Sequence, residues 1–115
     1  MLAADRVIEI AEICGEIADR IVPLDLDGEA LRVVVHLKDS TQLRVTEQWK
    51  DNFLSRYSYY WLTSENELKI GWDNAPHHSR LKNFPHHKHV GSKGGLQPTD
   101  ETNLMDVVRH IRSMQ

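Results

Sequence analysis

Five histidines fall within thirteen positions of this chain: His77, His78, His86, His87 and His89, in the stretch WDNAPHHSRLKNFPHHKHVG. An imidazole titrates near neutrality, so it can take or give a proton there, and its neutral form is a common metal ligand. Two chemistries use such a set. In one, a His-x-His pair puts two rings on one side of an extended segment to hold a metal, and Asp73, His77, His87 and His89 are the candidate ligands. In the other, no metal is needed. A phosphodiester of RNA is cleaved by a base for the 2′-hydroxyl, an acid for the leaving oxygen, and cations for the charge on phosphorus.

The charge of the segment favours the second chemistry. From Asn74 to Thr99 there is no Asp or Glu, while Arg80, Lys82, Lys88 and Lys93 add four positive charges to a remainder of net charge −7. A basic stretch on an acidic body is a place for an anion. The leading expectation is a metal-independent ribonuclease with no cofactor. His77, His78, His86, His87 and His89 would supply acid and base, and Arg80, Lys82 and Lys88 would bind phosphate. A metal-binding protein or metallo-hydrolase built on the same histidines is the alternative, and a non-enzymatic binding module is a third. Each histidine also has an ordinary structural role open to it, as a strand cap or a partner for a backbone carbonyl.

The elements that must position these residues are legible in the apolar pattern. Ile10, Ile13, Cys14, Ile17, Ala18 and Ile21 recur at helical spacing with acidic residues opposite, predicting an amphipathic helix over roughly residues 4–18 that Pro23 bars from continuing. Cys14 lies on the apolar stripe and reads as a buried small hydrophobe. Strand patterns follow: IVPLDL, a turn at Asp27-Gly28, ALRVVVHL, QLRVTEQW, FLSRYSYYWL and LKIGWD. Short connections make neighbours antiparallel, so about five strands form a meander. After the histidine segment, GSKGG breaks the chain. Leu104, Val107, Val108 and Ile111 then mark a second helix, with Thr99, Asp100 or Thr102 as its N-cap. The fold class is α+β, one domain over residues 1–115, with both helices packed on the sheet.

Within that frame, LKIGWD delivers the histidines to the sheet's rim. Pro76 stops further pairing, and alternation puts His87 and His89 on one side with His86 and Lys88 on the other. In the aromatic strand, Tyr57, Tyr59 and Trp61 share one face, and Arg56, Ser58 and Tyr60 the other. A tyrosine hydroxyl, taken as that of Tyr59, joins the candidate site if its face meets the histidines, and Arg56 joins it if the other face does. Trp72 and Asn74 are added as substrate contacts, although Trp72 reads more readily as core packing. Arg32 and Arg44 would extend a basic surface. His36 and His110 receive no role.

Composition sets the outer limits. The 115 residues are 40% hydrophobic and 27% charged, as in an ordinary globular domain. A single cysteine precludes an intrachain disulfide and suits a reducing compartment. Asp5, Arg6, Glu9, Glu12, Glu16, Asp19 and Arg20 interrupt the first apolar stretch, so neither a signal peptide nor a membrane span is expected, and the protein is expected in the cytoplasm.

RYSYYW, a strand ending in GWDNAPHH, then FPHHKHVG and a C-terminal helix resemble the TumE family of small bacterial and archaeal toxins. The similarity runs from about Arg20 to Ile111, and the two histidine blocks carry nearly all its specificity. The resemblance implies a cognate antitoxin, often a helix-turn-helix protein that binds DNA. By analogy with toxins that act on translation, it raises the expectation of an RNA target. A homodimer is compatible with this reading.

Overall fold

The structure, a computed structural model, describes residues 1–91 and 95–115. A helix α1 (Ala3–Ile13) leads into seven strands: β1 (Ala18–Asp27), β2 (Ala30–Leu37), β3 (Gln42–Lys50), β4 (Phe53–Leu62), β5 (Leu68–Asp73), β6 (His87–Val90) and β7 (Gly95–Pro98). A second helix, α2 (Leu104–Ser113), follows. The strands form one sheet in the order of the chain, each antiparallel to the next. The α+β class and the meander are therefore as expected, with seven strands rather than about five.

The two extra strands are four residues each, and His-Lys-His-Val has little strand propensity of its own. Their pairing partners make them strands: His87 lies opposite Asp73 and His89 opposite Gly71, and β7 then adds to β6. The expected break at GSKGG falls here. Gly91, at φ 75°, closes β6 in a left-handed conformation, and residues 92–94, including Lys93, lie outside the described residues.

The first helix is shorter than its periodicity predicts. It ends at Ile13, and Ile17 and Ala18 turn back onto the Cys14 carbonyl. Gly15 weakens the helix at that point, and β-branched Ile21 and Val22 gain more by pairing with Val35 and Val34 on β2. The apolar stripe thus continues from helix into strand. Pro23 sits inside β1 rather than stopping a helix, and an edge strand tolerates it because one side of its backbone has no ladder to complete. The cap of α2 is Asn103, whose side chain accepts from the Asp106 amide at 2.9 Å, not Thr99, Asp100 or Thr102.

Both helices cover the same face of the sheet. Ile10 of α1 and Leu104, Val107, Val108 and Ile111 of α2 bury against Leu31, Val33, Val35, Leu43, Val45, Tyr57, Tyr59, Trp61, Ile70 and Trp72. Alternation sends Arg32, Arg44, Thr46, Gln48, Arg56 and Tyr60 to the other, open face, where all are exposed. No helix among the described residues is long and apolar enough to cross a membrane.

Candidate functional site

Because β5 and β6 are antiparallel and in register, Asp73, His87 and His89 emerge on the open face side by side. His87 Nε2 lies 2.9 Å from Asp73 Oδ1, and His89 Nε2 lies 3.9 Å from Asp73 Oδ2. The other ring nitrogen of His87, Nδ1, meets the Pro85 carbonyl at 3.0 Å, and Asp73 Oδ1 also accepts from the Ala75 amide at 2.9 Å. His87 and Asp73 are buried, while His89 is partly open to solvent. The His78 ring stands edge-on to that of His87, with centroids 5.0 Å apart, and 6.4 Å from that of His89. His77 is exposed and one ring further out, 6.4 Å from His78.

The loop over residues 74–86 carries His77 and His78 and is tied down at several points. Asn74 is buried. Its side chain accepts from the Tyr57 amide at 2.9 Å and donates to the Ser55 carbonyl at 3.2 Å, fastening the loop to β4. Asn83 donates to the Thr99 carbonyl at 2.9 Å and ties the far end to the approach to α2. Asn74 is thus a fastening residue, with its polar atoms engaged by backbone. Arg80 and Lys82 are exposed between the two histidine groups.

Several expected site residues lie on the helix-covered side instead. His86 is on the opposite face from His87, stacked on Tyr57 with its Nδ1 2.8 Å from the Tyr57 hydroxyl. Partial burial, reinforced by the charge of His87, holds the His86 pKa below its ordinary value. Lys88 pairs with Glu101 at 3.7 Å, and Trp72 is fully buried with its indole NH 3.3 Å from the same carboxylate. His110 Nδ1 lies 3.6 Å from that oxygen as well. Tyr59 is fully buried and donates to Glu47 at 2.5 Å, and burial followed by the charge of Glu47 pushes its pKa well above the ordinary phenol value. The Tyr59 hydroxyl therefore serves the core and not the histidines. Cys14 is buried as expected, and burial pushes its thiol up to about 12, so it stays protonated and unreactive at neutral pH.

Two residues near the centre were passed over in the sequence. Tyr60, opposite Gly71, lays its ring across that glycine: a Cβ at Gly71 would come 2.8 Å from the Tyr60 ring. The ring stays 40% exposed, and burial together with the charge of Asp73 raises its pKa. Beyond it opens a shallow basin of about 420 Å³ whose lining includes Arg32, Thr46, Gln48, Arg56, Ser58 and Asp73, with Asp25 at the β1 side. Asp73 is common to the basin and the histidine centre. The β4 alternation carried this signal, since it separates Tyr60 from Tyr59; what it lacked was which face the helices leave open.

Neither the curated proteins nor the solved structures contain a match to this chain. A family model does match, described as Toxin TumE, over residues 7–115. That span runs from the first turns of α1 through every strand, the histidine centre and α2. A match of that extent embraces the whole fold and not merely the two histidine blocks, so the chain belongs to the Toxin TumE family.

Proposed function

We propose that this toxin-family protein acts on RNA, holding it across the open face of the sheet and cleaving a phosphodiester bond at the Asp73–His87–His89 centre. The observation that carries this reading is the shared position of Asp73. It holds His87 and faces His89 on one side and borders a basin with Arg32 and Arg56 on the other. Guanidinium groups suit phosphate oxygens, and the exposed Tyr60 ring offers a surface on which a base can stack. Membership of a toxin family implies an antitoxin partner, and a helix-turn-helix protein remains our expectation for it.

In the cleavage step the 2′-hydroxyl oxygen bonds to phosphorus and the bond from phosphorus to the 5′-oxygen breaks. A base at the centre accepts the 2′-hydroxyl proton, and an acid returns one to the departing oxygen. With no metal bound, the half-buried rings of His78 and His89 are the candidates for these transfers, and His87 is held in place by Pro85 and Asp73. Of the expected phosphate-binding cations, Arg56, Arg80 and Lys82 remain in this reading. Lys88 is engaged on the other face.

The test pairs growth with cleavage. Expression should slow bacterial growth, and His87→Ala combined with His89→Ala should relieve it while the purified variant keeps a wild-type circular dichroism spectrum. Purified protein should cut RNA and bind, but not cut, a DNA copy lacking the 2′-hydroxyl. Cutting of the DNA copy would exclude the 2′-hydroxyl mechanism. A folded double variant that is still fully toxic would remove the centre from the activity.

A further inference from the structure

We infer that Asp73, His87 and His89 form a binding site for one first-row transition-metal dication of the zinc class. The argument begins with His87. Its Nδ1 stands 3.0 Å from the Pro85 carbonyl and its Nε2 2.9 Å from Asp73 Oδ1, and both oxygens only accept, so a neutral ring with one N–H satisfies one of them and leaves a lone pair facing the other. With the hydrogen on Nδ1, the lone pair of Nε2 faces Asp73 Oδ1. Two lone pairs do not face one another at that distance without a cation between or beside them.

A proton on Nε2 would account for His87 alone. It leaves His89 unexplained, because its Nε2 addresses the second oxygen of the same carboxylate at 3.9 Å, too far for a hydrogen bond. One ion shared by the three residues accounts for both rings turning toward the same carboxylate. Donors bound at about 2.0–2.1 Å to one tetrahedral ion stand roughly 3.4 Å apart. The 2.9 Å from His87 Nε2 to Asp73 Oδ1 is somewhat shorter than that value, and one donor atom from each of the three residues lies within 4.8 Å of the others.

The surroundings have the features of a metal site. The cross-strand pair Asp73–His87 and the i, i+2 pair His87–His89 place the donors on paired backbone, where their positions are set by the sheet. The Pro85 carbonyl can accept from a His87 Nδ1–H, the tautomer that leaves Nε2 to coordinate, as backbone carbonyls commonly do for metal-bound histidines. The Ala75 amide holds the Asp73 carboxylate through Oδ1. Two imidazoles and one carboxylate favour zinc, iron or nickel over magnesium or calcium, which prefer all-oxygen shells. Neither His77 nor His78 is among the donors that meet; His78, with its ring centroid 5.0 Å from that of His87, is the nearer of the two.

The site and the RNA-cleaving reading can fail separately. The full chain, dialysed against chelator, is titrated with Zn²⁺ and with Mg²⁺ by calorimetry, with melting followed in parallel. Expected are one Zn²⁺ per chain, a rise in Tm with Zn²⁺ and none with Mg²⁺. Asp73→Asn and His89→Ala should each weaken Zn²⁺ affinity at least tenfold, and His36→Ala should not. Should either variant fail to fold, crystals of the unaltered chain grown with Zn²⁺ and measured at the zinc absorption edge decide the point, with an anomalous peak between Asp73, His87 and His89 expected. Zinc absent from that position, or bound equally well by folded Asp73→Asn and His89→Ala, would overturn the inference. Zinc binding without RNA cleavage would leave this site standing and remove the ribonuclease; RNA cleavage by the zinc-free chain with no zinc uptake would do the reverse.

Discussion

At the scale of single residues, burial separates side chains that look alike in sequence. Glu47 is 1% exposed yet accepts from Arg6 Nε at 2.7 Å, Arg6 Nη2 at 3.0 Å, Trp49 at 3.0 Å and Tyr59 at 2.5 Å. Both oxygens of a buried carboxylate are thereby satisfied, and taking away the guanidinium strands a charge in the core. Arg6→Ala should cost about 3–5 kcal/mol in urea unfolding. Tyr59→Phe removes one bond to a charged acceptor and should cost roughly 1.5–3 kcal/mol, with activity per folded molecule unchanged. A Tyr59→Phe variant of normal stability and no activity would return that hydroxyl to the site. The adjacent histidines make the same point. His86 and His87 are neighbours in sequence and serve opposite faces of the sheet, so replacing both at once would disturb the Tyr57 contact along with the centre.

Elements were legible to the extent that their apolar pattern was their own. The alternations of β2, β4 and β5 gave those strands within their observed limits, and the Leu104–Ile111 stripe gave α2. Where an element exists because of its neighbour, the pattern is silent or misleading. Ile17 and Ile21 fit a helix period until the pairing with β2 claims them, and β7 has no periodic signal. The alternation of His87 and His89 was readable, but their meeting with Asp73 required the β5–β6 register. The same dependence hid the partnership of Tyr60 with Gly71. Gly71→Ala should push the ring off its seat, cost about 1–3 kcal/mol as overpacking, and lower RNA affinity. In a Tyr60→Ala background the same substitution should cost less by at least about 0.5 kcal/mol, because the obstructing ring is gone. Equal costs in the two backgrounds, measured by chemical unfolding, would show that the ring does not rest on the glycine.

Across the whole molecule, the net charge of −3 conceals where the cations stand. Arg32, Arg44 and Arg56 share the open face, and Arg80 and Lys82 extend from the loop beside it. If these five contact phosphates, the log–log dependence of single-stranded RNA affinity on salt should be negative and no steeper than roughly −3.5, at about −0.7 per contact. Arg32→Glu with Arg56→Glu should flatten that slope without loss of Tm, since both side chains are exposed. A slope near zero for the unaltered protein would place the RNA elsewhere. The sequence located the basic, acid-free segment, but the open-face arginines come from three separate strands, and only the sheet assembles them.

The strand order also has a meaning in time. Every strand pairs with the one made just before it, so each hairpin can close soon after its residues leave the ribosome, with no wait for a distant partner. Asp73 is made well before His87 and His89, and the centre cannot assemble until β6 closes on β5. The layer that α2 supplies comes later still, and until then Trp72 lacks its edge contact with His110. A nascent chain therefore passes through a stage in which most of the sheet exists and its chemistry does not. If the proposed function holds, that ordering delays harm until synthesis is nearly done, and leaves a growing apolar face as the first thing a chaperone or antitoxin would meet.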